Sequence, residues 1–220
     1  MLKQRTRWRA AAIVEVAALS AILLSYIWGW QRTFPGASLL ILVLYFGVGL
    51  LSHLRRRESL RDIGIRTDNL RCALINAAVI VVPAAVLCVL VGWLLGSLHF
   101  PTASHAVVLA LWLIVWGTAQ QYGLSCFFYR RFREIFEEQG TWTATAAASV
   151  MFALFHMPNG FLVAVTLAAG AVACRLYQRE PNLAALGVAH AMISFVVLYS
   201  LPFSVTHGLR VGPGYLALFS

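Results

Sequence analysis

Residues 116–131 read WGTAQQYGLSCFFYRR, and the interpretation of the whole chain starts from this stretch. It is apolar enough to lie within a bilayer, yet it carries two adjacent amides, Gln120 and Gln121. Strongly polar side chains at bilayer depth are costly, and they usually face the interior of a helical bundle and have a functional role. The question that the sequence poses is therefore which groups these amides face.

The composition argues against a soluble domain. Sixty per cent of the 220 residues are hydrophobic and only 11 % are charged, which is too little charge to cover the surface of a soluble fold. Apolar runs near the roughly 20 residues that cross a bilayer recur along the chain at 10–30, 36–54, 72–98, 106–129, 142–157, 161–177 and 183–201. The sequence predicts an all-α, polytopic membrane bundle of about seven transmembrane helices.

The domain organisation is predicted to be simple. No internal repeat and no linker divides the chain, so we expect a single integral membrane domain over residues 1–220. Pro35 is predicted to break the chain after the first helix, and Pro83 to kink the third run. The final segment, 202–220, is too interrupted by Gly and Pro to span a membrane, and it is expected to be re-entrant or interfacial.

Basic residues indicate the orientation. The net charge is +9, and the 17 Lys and Arg lie mostly in short clusters between apolar runs, where they hold a loop on the cytoplasmic side. With a cytoplasmic N-terminus, all of them except Arg32 and Arg210 fall on that side. We therefore predict an integral protein of a bacterial-type inner membrane, whose positive charge serves orientation and lipid contact and not nucleic-acid binding.

Three of the apolar runs carry polar or aromatic residues at helical spacing. The pairs, each four residues apart, are Gln121 with Ser125, Phe152 with His156, and His190 with Ser194. Side chains four residues apart lie on the same face of a helix. The three runs are therefore predicted to share an intramembrane pocket, with Asn159 just beyond the run 142–157.

Other polar residues have plainer interpretations. Glu15 is expected to reach water or to pair with Arg9 near the cytoplasmic face. Four histidines near the ends of runs are expected to be interfacial: His53, His99, His105 and His207. The four cysteines are expected to be small core residues: Cys72, Cys88, Cys126 and Cys174. His and Cys spacing predicts no metal site, and we expect no cofactor.

The order of these motifs resembles the CAAX-protease and bacteriocin-processing (CPBP) family of intramembrane proteases, which includes the Rce1-type enzymes. Its second motif is Phe-x-x-x-His, matched by Phe152 and His156, and HMPN resembles the sequence that commonly follows. Its third motif is His with Asn or a similar polar residue four positions later, matched by His190 and Ser194. The resemblance extends over residues 59–201 and implies a CPBP-type helical bundle.

The first motif departs from the family. In the family it is two adjacent glutamates followed by Arg at the fifth position after the first, whereas here Gln120 and Gln121 stand at the glutamate positions and Ser125 at the arginine position. The resemblance implies that a glutamate with a histidine activates water, while the third-motif residues stabilise the oxyanion. An amide does not titrate near neutral pH and cannot be the general base. The chain therefore resembles a protease scaffold that lacks its base.

Three functions stay open at this stage. A divergent but active protease would use His156 as the base, with the glutamines positioning water; Ser125 or Cys126 as a nucleophile is less favoured because no acid orients the imidazole. A silent relative would bind a membrane-embedded or lipidated peptide, or a partner protein, through amide donors and acceptors. The third function is a small transporter or channel subunit, although internal repeats and mid-membrane charges are missing. The chemistry favours the silent relative.

Overall fold

The computed structural model describes residues 2–33 and 36–220, and every regular element within these ranges is helical. The α-helices are α1 (Leu2–Trp28), α2 (Ala37–Arg56), α3 (Leu70–Leu94), α4 (Ala103–Gln121), α5 (Arg130–Ile135), α6 (Thr141–Leu154), α7 (Gly160–Arg179), α8 (Leu183–Ser200), α9 (Phe203–Thr206) and α10 (Gly212–Leu216). A π-helix, Tyr122–Tyr129, follows α4 directly, and short 3-10 turns cover Trp30–Arg32 and His207–Leu209. The predicted all-α fold is confirmed.

Six helical stretches among the described residues are long and apolar enough to cross a membrane. They are Arg5–Trp28, Ala37–Arg56, Leu70–Leu94, Ala103–Ile135, Gly160–Arg179 and Leu183–Ser200. A seventh apolar helix, α6, is shorter at 14 residues. These seven helices correspond to the seven predicted runs, and the chain is a polytopic helical membrane protein.

The structure also bears on what the sequence predicted for the prolines, the C-terminal segment and the cysteines. Pro83 lies inside α3, whereas Pro35 lies outside the described residues. The segment 202–220 forms only the short elements α9 and α10 with a 3-10 turn between them. The core prediction was wrong for Cys72, which is exposed, because an apolar run does not reveal which of its faces meets protein and which meets lipid.

The described residues form two compact units, each assembled from separate stretches of the chain. The first unit comprises the described residues up to Ser59, together with Phe127–Ala171 and Val211–Ser220. The second unit comprises Leu60–Cys126 and Val172–Arg210. The first therefore holds α1, α2, α5, α6 and most of α7, and the second holds α3, α4 and α8. That the chain forms a single domain stays a prediction.

In the second unit, α8 packs against both α3 and α4. A Cβ added at Gly187 of α8 would lie 3.0 Å from the Cα of Thr118 on α4. A Cβ added at Gly92 of α3 would collide with the carbonyl group of Ser200. Membrane helices approach closely where small residues face one another, so these two glycines set the spacing around α8.

A buried cluster of charges lies within the first unit. The side chain of Arg131 is fully buried, and its guanidinium makes ion pairs of 2.5 Å with both Glu58 and Glu134. Its Nε donates to Ser52 Oγ at 2.9 Å. A buried charge is tolerated when it is paired and hydrogen-bonded, and Arg131 meets both conditions.

Two further residues belong to this cluster. Glu15 is buried and pairs with Arg56 at 2.8 Å, so the expected Arg9 partner was wrong. This error arises because Arg56 lies far from Glu15 in sequence, where helical spacing carries no information. His53 is also buried, with Nδ1 2.6 Å from Glu58 Oε2; that it lies at the membrane interface stays a prediction.

The Glu58 carboxyl, which lies outside the spans, has a strongly perturbed acidity. Burial alone would raise its pKa, but hydrogen bonds from His53 and Arg131 and the nearby guanidinium charge outweigh burial and hold the pKa well below its ordinary range. Arg130 also pairs with this carboxylate. Glu58 is therefore ionised wherever the first unit is folded at physiological pH.

We expect Gly187→Ala to lower the free energy of unfolding by about 1–3 kcal/mol, because the new methyl group overpacks the contact with Thr118. The measurement is unfolding of the purified protein in detergent, followed by the reactivity of the buried thiols of Cys126 and Cys174. Gly47→Ala is the matched control, since a Cβ there meets nothing within 4 Å. Equal stability of the two variants would contradict the proposed packing.

We also expect the ion pairs of Glu58 to make stability depend on pH. Because its folded-state pKa is depressed, its stabilisation is complete above the unfolded-state pKa of about 4.3 and is lost as pH falls through the folded-state value. Glu58→Gln should cost about 1.5–3 kcal/mol at pH 7 and should flatten the loss of stability in acid. Glu137→Gln, in an exposed pair with Arg5, should do neither; identical acid profiles for native protein and Glu58→Gln would refute this role.

Candidate functional site

The second unit joins two of the predicted site residues by a hydrogen bond. Gln121 is the last residue of α4 and is buried, while His190 lies in the middle of α8 and is half-buried. The amide nitrogen of Gln121, Nε2, is 3.1 Å from Nδ1 of His190. The side chains thus connect α4 to α8 across 69 positions of sequence.

Ser125 extends this contact along the π-helix. Its side chain is fully buried, and its hydroxyl donates to Gln121 Oε1 at 3.5 Å. π-Helical turns are rare and often occur at functional sites; here the π-helix begins directly after Gln121. Because a π-helix has more residues per turn than an α-helix, the side chains after Gln121 point in directions that regular α-helical spacing does not predict.

Gly117 makes room for the imidazole of His190. A Cβ at this position would lie 3.0 Å from Cδ2 of His190 and 3.3 Å from the carbonyl oxygen of Gly187. The ring therefore lies against the backbone of α4, one turn before Gln121. Sequence reasoning missed Gly117 and Gly187; the available signal was the four-residue spacing of Gly117, Gln121 and Ser125.

The two glutamines are not equivalent. Gln121 contacts His190, whereas Gln120 is half-buried on α4 and its side chain takes no part in this hydrogen bond. Ser194 is also half-buried, one turn beyond His190 on α8. The polar groups that hydrogen bonds join at this position are therefore the amide of Gln121, the hydroxyl of Ser125 and the imidazole of His190.

The second motif lies in the first unit, at the end of α6 and in the turn that follows it. Nδ1 of His156 is 2.7 Å from the carbonyl oxygen of Phe152, and the two rings meet edge to face at 4.7 Å. A carbonyl oxygen only accepts hydrogen bonds, so the Nδ1 of His156 carries a proton. Asn159 is fully buried, and its Oδ1 accepts a hydrogen bond from the backbone N–H of Leu162 at 3.1 Å, which caps the start of α7.

The comparisons with known proteins identify the segment that holds these residues. Residues 103–196 match the family model described as Type II CAAX prenyl endopeptidase Rce1-like. Residues 103–196 are an Rce1-like domain. The resemblance predicted from the motifs is thereby confirmed, and all of the predicted motif positions fall inside the matched range. No curated protein and no solved structure matches the chain.

The Rce1-like domain has no carboxylate on the helices that carry its motifs. The chain has eight acidic residues, and they are Glu15, Glu58, Asp62, Asp68, Glu134, Glu137, Glu138 and Glu180. None lies on α4, the π-helix, α6 or α8, nor in the turn that holds His156. Within residues 2–33 and 36–220, no three His, Cys, Asp or Glu side chains are grouped so as to hold a metal ion. The motif helices themselves thus offer amides, hydroxyls and imidazoles.

A double-mutant cycle would measure the contact between Gln121 and His190. We expect Gln121→Ala and His190→Ala to couple by about 0.6–2 kcal/mol in unfolding, the range for hydrogen bonds between membrane helices, because each removes the partner of the other. Gln120→Ala paired with His190→Ala is the control, with expected coupling near zero. Equal coupling for the two glutamines would show that the hydrogen bond does not distinguish them.

Proposed function

We propose that this Rce1-like membrane protein binds a membrane-embedded or lipidated peptide, or the corresponding segment of a partner protein, without rapid hydrolysis. The single observation that carries the proposal is the hydrogen bond of Gln121 to His190, at a position where the family motif has a glutamate. The motif helices supply no other carboxylate to replace it.

Loss of the carboxylate changes the chemistry of the site. A carboxylate beside an imidazole accepts a proton from water as the water attacks a peptide carbonyl. The amide of Gln121 does not accept that proton, because it has no basic group near neutral pH. Removing a general base slows such reactions by about 10²–10⁴. A site with Gln120 and Gln121 in place of the glutamates is therefore not expected to hydrolyse peptides rapidly.

The groups that remain suit the recognition of a peptide backbone. Each amide has two donors and an acceptor, and the hydroxyl of Ser194 can donate or accept. A peptide inside a bilayer has no water to satisfy its N–H and C=O groups, so a protein that supplies such partners stabilises it there. Half-buried Gln120, His190 and Ser194 are the residues that we assign to this contact.

A slow protease that uses His156 as the base is the second candidate, and one observation favours it. Because Nδ1 of His156 donates to the carbonyl oxygen of Phe152, the neutral ring has its lone pair on Nε2. That nitrogen is a competent proton acceptor. The backbone contact also fixes the ring in one orientation, as a positioned base requires.

The orientation that we propose follows from the charge distribution. With a cytoplasmic N-terminus, the basic loops around Arg55, Arg130 and Arg175 face the cytoplasm, in agreement with the positive-inside rule. We propose a bacterial-type inner membrane on the same grounds.

A cleavage assay in lipid distinguishes the two candidates. We expect the native protein to leave both a prenylated CAAX-type peptide and a library of membrane peptides intact, and the double variant Gln120→Glu, Gln121→Glu to gain turnover because it restores a carboxylate. Turnover by the native protein that disappears in His156→Ala would overturn the binding proposal and establish a protease with an altered base.

A binding assay on the same preparations tests the proposal directly. A fluorescent farnesylated peptide should bind the native protein saturably, and His190→Ala should weaken that binding by about fivefold or more, the loss of one hydrogen bond of roughly 1 kcal/mol. Gly47→Ala is the matched control, because Gly47 lies in the first unit in open space. Absence of saturable binding to both the prenylated peptide and the peptide library would refute the proposal.

A further inference from the structure

A cavity of about 310 Å³ lies within the second unit, at the end of α4 that is far from Gln121. Leu109, in the second turn of α4, lines this cavity and precedes Gln121 by twelve positions. With a rise of roughly 1.5 Å per residue, the two positions are about 18 Å apart along the helix axis. The cavity is therefore distinct from the site that holds Gln121 and His190.

Hydrogen bonds fix one wall of the cavity. The connection between α3 and α4 lies against the end of α8, where the backbone N–H of His99 donates to the carbonyl oxygen of Tyr199 at 3.1 Å. Ser97 Oγ donates to the carbonyl oxygen of Ser200 at 2.7 Å. The rings of His99 and Tyr199 are also in contact, with centroids 5.0 Å apart. Because these contacts belong to the fold itself, the cavity is formed before any ligand binds.

The interior of the cavity is apolar. It is lined by Leu109, Leu198, Leu201 and Phe203. An apolar cavity of roughly 150 Å³ holds one benzene molecule, so twice that volume has room for about a dozen carbon atoms. That is part of a single acyl chain and much less than a whole two-chain lipid.

The cavity lies at the level where three membrane spans end. α3 ends at Leu94 and α8 at Ser200, while α4 begins at Ala103. Trp93, near the end of α3, is 67 % exposed, and tryptophan is enriched at the boundary between membrane and water. We therefore expect the mouth of the cavity at this boundary, where lipid head groups meet acyl chains.

The mouth of the cavity carries basic groups. His99 and His105 line the cavity and are exposed. Nε of Arg210 lies 4.0 Å from where a Cβ on Gly208, another lining residue, would be. Residues 69–133 and 181–220 contain no Asp or Glu. An anion at this mouth therefore meets N–H donors and positive charge, and no carboxylate from these segments.

We propose that the cavity is a site for an anionic phospholipid, with part of one acyl chain among the leucines and the phosphate against His99 and His105. An apolar interior with a basic mouth at the membrane surface matches the two parts of such a lipid. The phosphate accepts hydrogen bonds from imidazole N–H groups and attracts the charge of Arg210. In a zwitterionic lipid, the cationic head group weakens this attraction. The proposal does not depend on the proposed peptide binding.

Native mass spectrometry of the full chain in detergent tests the site, with dioleoyl phosphatidylglycerol and dioleoyl phosphatidylcholine as probes. We expect one phosphatidylglycerol molecule to bind saturably, about fivefold or more tightly than phosphatidylcholine, which is the scale of one charge-assisted hydrogen bond. Excess glycerol 3-phosphate should not displace it, because the acyl chain supplies part of the binding. Equal affinity for the two lipids, or displacement by glycerol 3-phosphate, would overturn the proposal.

Two sets of variants locate the lipid. The double variant His99→Gln, His105→Gln should lower the affinity for phosphatidylglycerol about fivefold or more, whereas His207→Gln should not, because His207 lies outside the lining. Leu109→Trp should fill the cavity and abolish this binding. Val108→Trp is its matched control, because Val108 is 67 % exposed on α4. Undiminished binding by both cavity variants would refute the site.

Photocrosslinking of the native protein keeps the test independent of any effect of the variants on folding. The probe is phosphatidylglycerol with a diazirine in one acyl chain, in nanodiscs of phosphatidylcholine. We expect labelling at Leu109 or Leu198, which line the cavity from α4 and α8, and we expect unmodified phosphatidylglycerol to reduce it. Absence of labelling at these positions, or labelling that added phosphatidylglycerol leaves unchanged, would overturn the proposal.

Discussion

Polar groups in an apolar chain must find their hydrogen-bond partners within the protein, because the bilayer offers none. This constraint organises both units. In the first unit, the fully buried guanidinium of Arg131 is matched by carboxylates from separate segments. In the second unit, Gln121 meets His190. The contacts of Arg131 with Glu58 and of Gln121 with His190 each tie together elements that are distant in sequence, so satisfying these polar groups also specifies which elements pack together.

Close packing of α8 complements these polar contacts. Gly187 and Gly92 allow its neighbours to approach to backbone distance, and Gly117 lets the imidazole of His190 lie on α4. Apolar side chains associate little with one another in lipid, since the tails are equally apolar. Small residues and a few hydrogen bonds are therefore the means by which such helices recognise each other.

The same hydrogen bond links architecture to function. A glutamate beside an imidazole forms a base, whereas the glutamine in this chain contributes an amide, which does not titrate near neutral pH. The matched segment carries its helices and histidines without this carboxylate, and the proposed binding function rests on that difference.

Sequence reasoning succeeded where residue type and short spacing decide the outcome. The seven apolar runs, the all-helical class and the order of the family motifs depend on hydrophobicity and on residues four positions apart. Pairings between distant residues could not be predicted in this way: Glu15 was assigned to Arg9 and contacts Arg56. Cys72 was placed in the core and is exposed, because hydropathy does not distinguish lipid from protein.

The sequence by itself determined that this is a membrane protein with motif helices free of carboxylates, since both statements follow from which residues occur in which runs. Only the tertiary structure decided that Gln121, and not its neighbour Gln120, reaches His190. The physical reason is distance along the chain. The partners are 69 residues apart and lie on different helices, α4 and α8, so no local pattern encodes the contact.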